Sequence, residues 1–149
     1  MSRIVSFRGL IADADVERIN LHTIDGKTGY RIKKFQVMPN NPTADNMEVT
    51  IKIYRIHPGS PTNTIDFSDN TLLAAAYIEN HDGTSSGFSN FTNAIIFDNS
   101  MVNQDIYVSS AAGATAGSDG VNYYFELEQV ALDLNEATVS TLKNIRNND

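Results

Sequence analysis

The chain has no cysteine, which excludes disulfides and thiolate metal sites as means of holding it together. Its fold must hold by packing and hydrogen bonding alone, and that is compatible with folding in a reducing cytoplasm. Positive charge is also scarce: 11 lysines and arginines face 18 aspartates and glutamates, for a formal net charge of −7. Nucleic-acid binding leaves a basic stripe as its electrostatic footprint. The densest cationic group here is Arg31, Lys33 and Lys34, too small to anchor a duplex. Long apolar runs are missing as well. No window approaches the roughly 18 apolar residues of a membrane span, and the stretch MSRIVSFRGLIADADVE lacks the apolar run of a signal peptide. The chain is therefore expected to be soluble, acidic and not exported, with no nucleic-acid or membrane partner. At 149 residues it is expected to form one domain, able to bury about 70% of its unfolded surface.

What is present is period-two alternation. Met47, Val49, Ile51 and Ile53 share one face of a segment whose other face carries Glu48, Thr50 and Lys52. Val121, Tyr123, Phe125 and Leu127 likewise oppose Asn122, Tyr124, Glu126 and Glu128. Successive side chains of a strand point to opposite faces, so both segments read as half-buried strands. Further strands are expected over residues 4–11, 18–24, 30–38, 72–79, 94–98 and 105–109, about eight in all. Ala74, Ala75 and Ala76 favour helix by propensity, but the segment is short and runs into Tyr77 and Ile78, which favours a strand.

Turn residues punctuate these runs. DGKTG, residues 25–29, is expected to close a hairpin. PNNP (39–42) and PGSP (58–61) bracket the strand that begins at Met47, because proline cannot donate to a ladder. Residues 81–90 and 109–120 read as long loops of small residues. Strands with turns between them and no alternating helices predict an all-β fold, an antiparallel β-sandwich of jelly-roll type spanning residues 1–149. The tail differs. Asn135 is a suitable N-cap, Glu136 sits near the positive end, and Lys143 and Arg146 fall in the last turn. Val139, Leu142 and Ile145 make one apolar stripe, predicting a short C-terminal α-helix over about 136–146. So short a helix is marginal by itself, so it is expected to dock, on its own sandwich in preference to a neighbour. The proline-flanked and glycine-rich loops then become the candidates for partner contact.

Motifs that resemble chemistry do not hold together. GTSSG, residues 83–87, fits a nucleophile-elbow pattern, which needs a strand-turn-helix and a later histidine; His22, His57 and His81 all precede Ser85. GKT at 26–28 would need a glycine where Leu21 stands. Asp13, Asp15 and Glu17 alternate, and such oxygen ligands suit calcium, but the EF-hand spacing is missing and an acidic turn is the simpler reading. Glu126 and Glu128 lie on one strand face, whereas glycosidase carboxylates flank the bond from separate elements. Tyr123, Tyr124 and Phe125 are consecutive, so one ring must face outward, where it packs across strands or meets a partner. No catalytic, cofactor-binding or metal-ligating residue is predicted, and no enzyme activity.

The stretch NQDIYVSS, a loop of glycine, alanine and serine, and then NYYFELEQVALDLNEATVSTLKNIRN resembles small virion proteins of tailed bacteriophages of marine bacteria. The likeness covers positions 103–147 and fades toward the N-terminus. It implies a non-enzymatic virion structural protein, a head decoration (cement) protein on the capsid exterior. Its implied partners are the major capsid protein and copies of itself, with assembly in the host cytoplasm. The resemblance supplies no site residues. The alternatives are a tail or vertex attachment component, or a carbohydrate-binding module using exposed tyrosines and acidic loops.

Overall fold

The computed structural model describes residues 3–23, 27–40, 47–81, 90–112, 120–132 and 141. They form eight strands: β1 (Arg3–Ile11), β2 (Asp15–Ile19), β3 (Thr28–Pro39), β4 (Met47–Tyr54), β5 (Leu72–His81), β6 (Asn90–Phe97), β7 (Ile106–Ala112) and β8 (Val121–Ala131). Two antiparallel sheets result, ordered β1-β8-β3 and β2-β7-β4-β5-β6. Their inner faces share one core. Ile11, Ile32, Phe35 and Leu127 enter it from the first sheet, and Ile19, Ile51, Ile78 and Val108 from the second. The arrangement is sandwich-like and nearly all β.

β8 shows how sequence becomes packing. Val121, Tyr123, Phe125 and Leu127 are buried as their alternation predicts, and each such apolar side chain contributes about 1.5–3 kcal/mol on leaving water. Phe125 stacks on Phe7 of β1 at 5.4 Å and on Tyr123 of its own strand at 5.8 Å, so a cluster of rings ties β1 to β8. In β3 the alternation breaks at Lys33, where the register against β8 shifts between Ile32 and Lys34. This bulge leaves both lysines exposed while Ile32 and Phe35 stay in the core, since one extra residue resets the period.

Several expectations need correction. The second strand is Asp15–Ile19, not 18–24. Beyond it the backbone finds other partners: Leu21 N–H donates to Asp105 Oδ1, His22 O accepts from the Tyr30 hydroxyl, and Thr23 O accepts from Thr28 N–H. Nor do β2 and β3 form the hairpin expected around residues 25–29, because β2 pairs with β7 in one sheet and β3 with β8 in the other. β7 runs on to Ala112, through residues expected to begin a loop. Ser109, Ser110 and Ala111 are all buried, and their small side chains suit a strand covered on both faces. β6 starts at Asn90, ahead of the expected 94.

Residues 72–79 do lie in a strand. β5 is central between β4 and β6, so tertiary burial of Ala74, Ala75 and Ala76 outweighs their helical propensity. The expected helix over 136–146 lies outside the described residues except for Thr141, whose backbone is helical. Its hydroxyl accepts a 3.0 Å hydrogen bond from Nδ2 of the buried Asn103. At that residue the tail is tied to its own chain. Residues 83–87, Gly26 and the stripe Val139, Leu142 and Ile145 also lie outside the described residues.

Candidate functional site

The outer face of the five-stranded sheet is where the chain departs most from a simple half-buried pattern. Thr50 and Lys52, expected on the solvent side of β4, are buried, Lys52 to 1% exposure. The cause is the connection from β4 to β5, residues 55–71, which folds back across the sheet as a strap. Lys52 Nζ donates to Thr62 Oγ1 at 2.9 Å and to the Thr64 carbonyl at 2.7 Å. Asn63 Nδ2 donates to the Ala112 carbonyl on β7. Lys52 also lies 5.4 Å from the Tyr54 ring centre, a cation–π distance. Burial pushes its ammonium pKa down, and the charge of Asp69 opposes that shift.

Beside the strap lies a groove of about 510 Å³. Phe67 of the strap and Ile96 and Phe97 of β6 rim it, and Arg55, Asp69 and Asp98 stand among its other walls. Phe67 is 68% exposed and Ile96 57%, large apolar surfaces left in water next to a sheet edge. β6 forms that edge. Its sequence, NFTNAIIF, carries no charge and no proline. The other three edge strands are guarded: β1 by Arg3 and Arg8, β2 by Asp15, Glu17 and Arg18, and β3 by its bulge and paired lysines. Such charges and bulges are how sheets refuse a further strand, and β6 has none.

A second groove of similar size opens on the same outer face, toward β2. Arg18, Arg55, His57, Gln104, Asp105 and Tyr107 line it. Arg18 and Tyr107 are cross-strand neighbours on β2 and β7. Arg18 Nε donates to Asp105 Oδ2 at 2.7 Å and Nη2 donates to the same oxygen. That hydrogen bond and the Asp105 charge raise the guanidinium pKa. His57 Nδ1 accepts the Gly59 N–H at 3.0 Å, and its ring meets Tyr107 edge-on at 5.4 Å. Arg55, 5% exposed, borders both grooves.

The residues weighed from sequence do not converge. Asp13 Oδ1 accepts from Ala112 N–H, Asp15 Oδ1 from Val16 N–H, and Glu17 Oε2 from the Tyr123 hydroxyl, so the three carboxylates serve three separate contacts. Among the described residues no group of three or more histidines and carboxylates is placed to hold a metal ion. Glu126 accepts from Tyr124 at 2.7 Å, and Glu128 pairs with Arg31. The outward ring of the YYF triplet is Tyr124, with Lys34 Nζ 5.9 Å from its centre. Of the scattered histidines, His57 gains a groove. The residues that join it come from positions 18, 104, 105 and 107, and no local spacing in the sequence announces that meeting.

No helix among the described residues is long and apolar enough to cross a membrane. No known protein-family model matches the chain, and no characterised protein matches its sequence.

Proposed function

We propose that this protein is a non-enzymatic structural component of a virion, a decoration protein that binds major capsid subunits on the capsid exterior. The observation that carries the reading is the unguarded edge of β6, flanked by the exposed Phe67 and Ile96. Among the described residues no strand pairs with the outer side of β6, so its backbone groups offer a further strand a ladder, and the apolar side chains offer it a dry contact. The resemblance over positions 103–147 points the same way. The strand order supports a jelly-roll-like topology: β1 with β8, β2 with β7 and β4 with β5 are nested antiparallel pairs, as in a long hairpin rolled on itself. The departure is β6, which ladders with β5 and only approaches β3.

Quantitative mass spectrometry of purified virions tests the reading. A copy number near that of the major capsid protein, or a simple fraction of it, supports decoration. A handful of copies moves the protein to a tail or vertex, and absence from particles overturns the proposal. A second reading, a carbohydrate-binding module, is favoured by the groove that Arg18, His57 and Tyr107 line.

A further inference from the structure

The groove between β2, β7 and the start of the strap carries an imbalance of hydrogen-bonding groups. The one carboxylate among the described residues that line it, Asp105, already accepts three hydrogen bonds, two from Arg18 and one from Leu21 N–H, out of about four acceptor sites. Donors remain in excess. A guanidinium has five N–H groups, and Arg18 spends two on Asp105 while its side chain stays 63% exposed. His57 accepts at Nδ1, so its neutral ring carries the proton on Nε2 as a donor. The Tyr107 hydroxyl and the Gln104 amide add to these, and Arg55, whose charge also meets that of Asp98, stands in the wall. A ligand that fits such a wall is rich in acceptors and negatively charged. The Tyr107 and His57 rings add an aromatic corner, suited to the apolar face of a small saturated ring. At about 510 Å³ the groove has the size of a small-molecule site.

We propose that this groove binds a carboxylated sugar of the uronic-acid class, its carboxylate on the free N–H groups of Arg18 and its ring against Tyr107. The proposal deepens the carbohydrate-binding reading and rests on it, and its groove lies at the opposite end of the sheet from the β6 edge offered to a capsid subunit. The test is calorimetric titration of the full chain with glucuronate, glucose and sulfate. Glucuronate is expected to bind at least about tenfold more tightly than either, a difference of about 1.4 kcal/mol. Gln104→Ala and Tyr107→Phe should each weaken it several-fold with the melting temperature unchanged, and Arg18→Gln should abolish it. Arg18→Gln also frees Asp105, so the two milder variants keep the test sound if that protein unfolds. Equal binding of glucose and glucuronate overturns the acidic-sugar assignment while keeping a carbohydrate site. Equal binding of sulfate reduces the groove to an anion site and overturns sugar recognition. Binding of none of the three overturns both.

Discussion

The Tyr123 hydroxyl donates a 2.6 Å hydrogen bond to Glu17 Oε2, joining β8 of one sheet to β2 of the other. Gly9 of β1 makes room for it, since a Cβ there would lie 2.6 Å from the Tyr123 oxygen. A hydrogen bond to a charged group is worth about 1.5–3 kcal/mol, less here because Glu17 is only half-buried. Tyr123→Phe is expected to cost about 1–2 kcal/mol and lower the melting temperature by roughly 3–6 °C. Gly9→Ala should cost a similar amount by displacing the ring. Combined, the two should cost less than their sum, because both break the same contact. Additive losses would mean that Gly9 acts elsewhere.

Buried Tyr123 and half-buried Tyr77 set the alkaline limit. Burial, then the hydrogen bond to Glu17, raises the Tyr123 pKa, and burial, then the bond to Glu79, pushes Tyr77 up to about 12. Unfolded, both ionise near pH 10. A folded-state pKa above the unfolded value means stability that is complete below pH 10 and is lost as pH climbs through about 12. Chemical denaturation across that window should show falling stability, with phenolate absorbance lagging behind that of free tyrosine. Ionisation of Tyr77 and Tyr123 near pH 10 with the fold intact would contradict this account.

Lys52 acts in the opposite sense. Its pKa is lowered by burial, so the cost of holding the charge is present at neutral pH and is relieved as pH rises toward 10.5, the ordinary lysine value. Lys52→Met keeps the apolar stem and removes the donor to Thr62 and Thr64. The strap should loosen by about 1–3 kcal/mol, read as faster proteolysis within residues 55–71. Because removing a buried charge offsets part of the loss, the global melting temperature should move less than the strap does.

Ala14 has φ of 59°, a left-handed conformation that costs a residue with a Cβ about 1 kcal/mol. It turns the chain from β1 into β2, beside Asp13 and its bond to Ala112 N–H. Ala14→Gly is expected to be neutral to stabilising by up to about 1 kcal/mol, where glycine in a strand would destabilise. Equilibrium denaturation decides the sign.

Thr141 and Asn103 anchor the tail. Thr141→Val preserves shape but removes an acceptor from a buried amide, at a cost of about 1–3 kcal/mol. Truncation after Leu134 should lower the melting temperature of the isolated protein further. A truncated chain with unchanged stability but lost self-association or particle binding would place the rest of the tail on a neighbour.

Strand content was most legible where one face is buried and the other wet. β8 shows this best, because its alternation is uninterrupted and its outward residues, Asn122, Tyr124, Glu126 and Glu128, stay polar. The bulge in β3 left a mark too, as two adjacent lysines between Ile32 and Phe35. Legibility failed where both faces are covered. Lys52 reads as solvent-facing because period two reports only which side of the strand a residue takes. Whether that side meets water was decided by the strap, and Ser109 to Ala111 read as a loop because their side chains are small, which burial on both faces also selects.

The sequence by itself determined the all-β class, the approximate number of strands and the inner face of β4 and β8, because side-chain alternation is a local property of an extended backbone. Tertiary structure decided which strands pair, which edge is left open and which side chains meet in the grooves. Arg18 and Asp105 are 87 positions apart, and Phe67 and Ile96 share a groove across an intervening strand. The first meeting follows from the long-range ladder of β2 with β7, and the second from the pairing of β5 with β6 beneath the strap. A ladder is chosen by the core it encloses, and no local window of sequence contains that core.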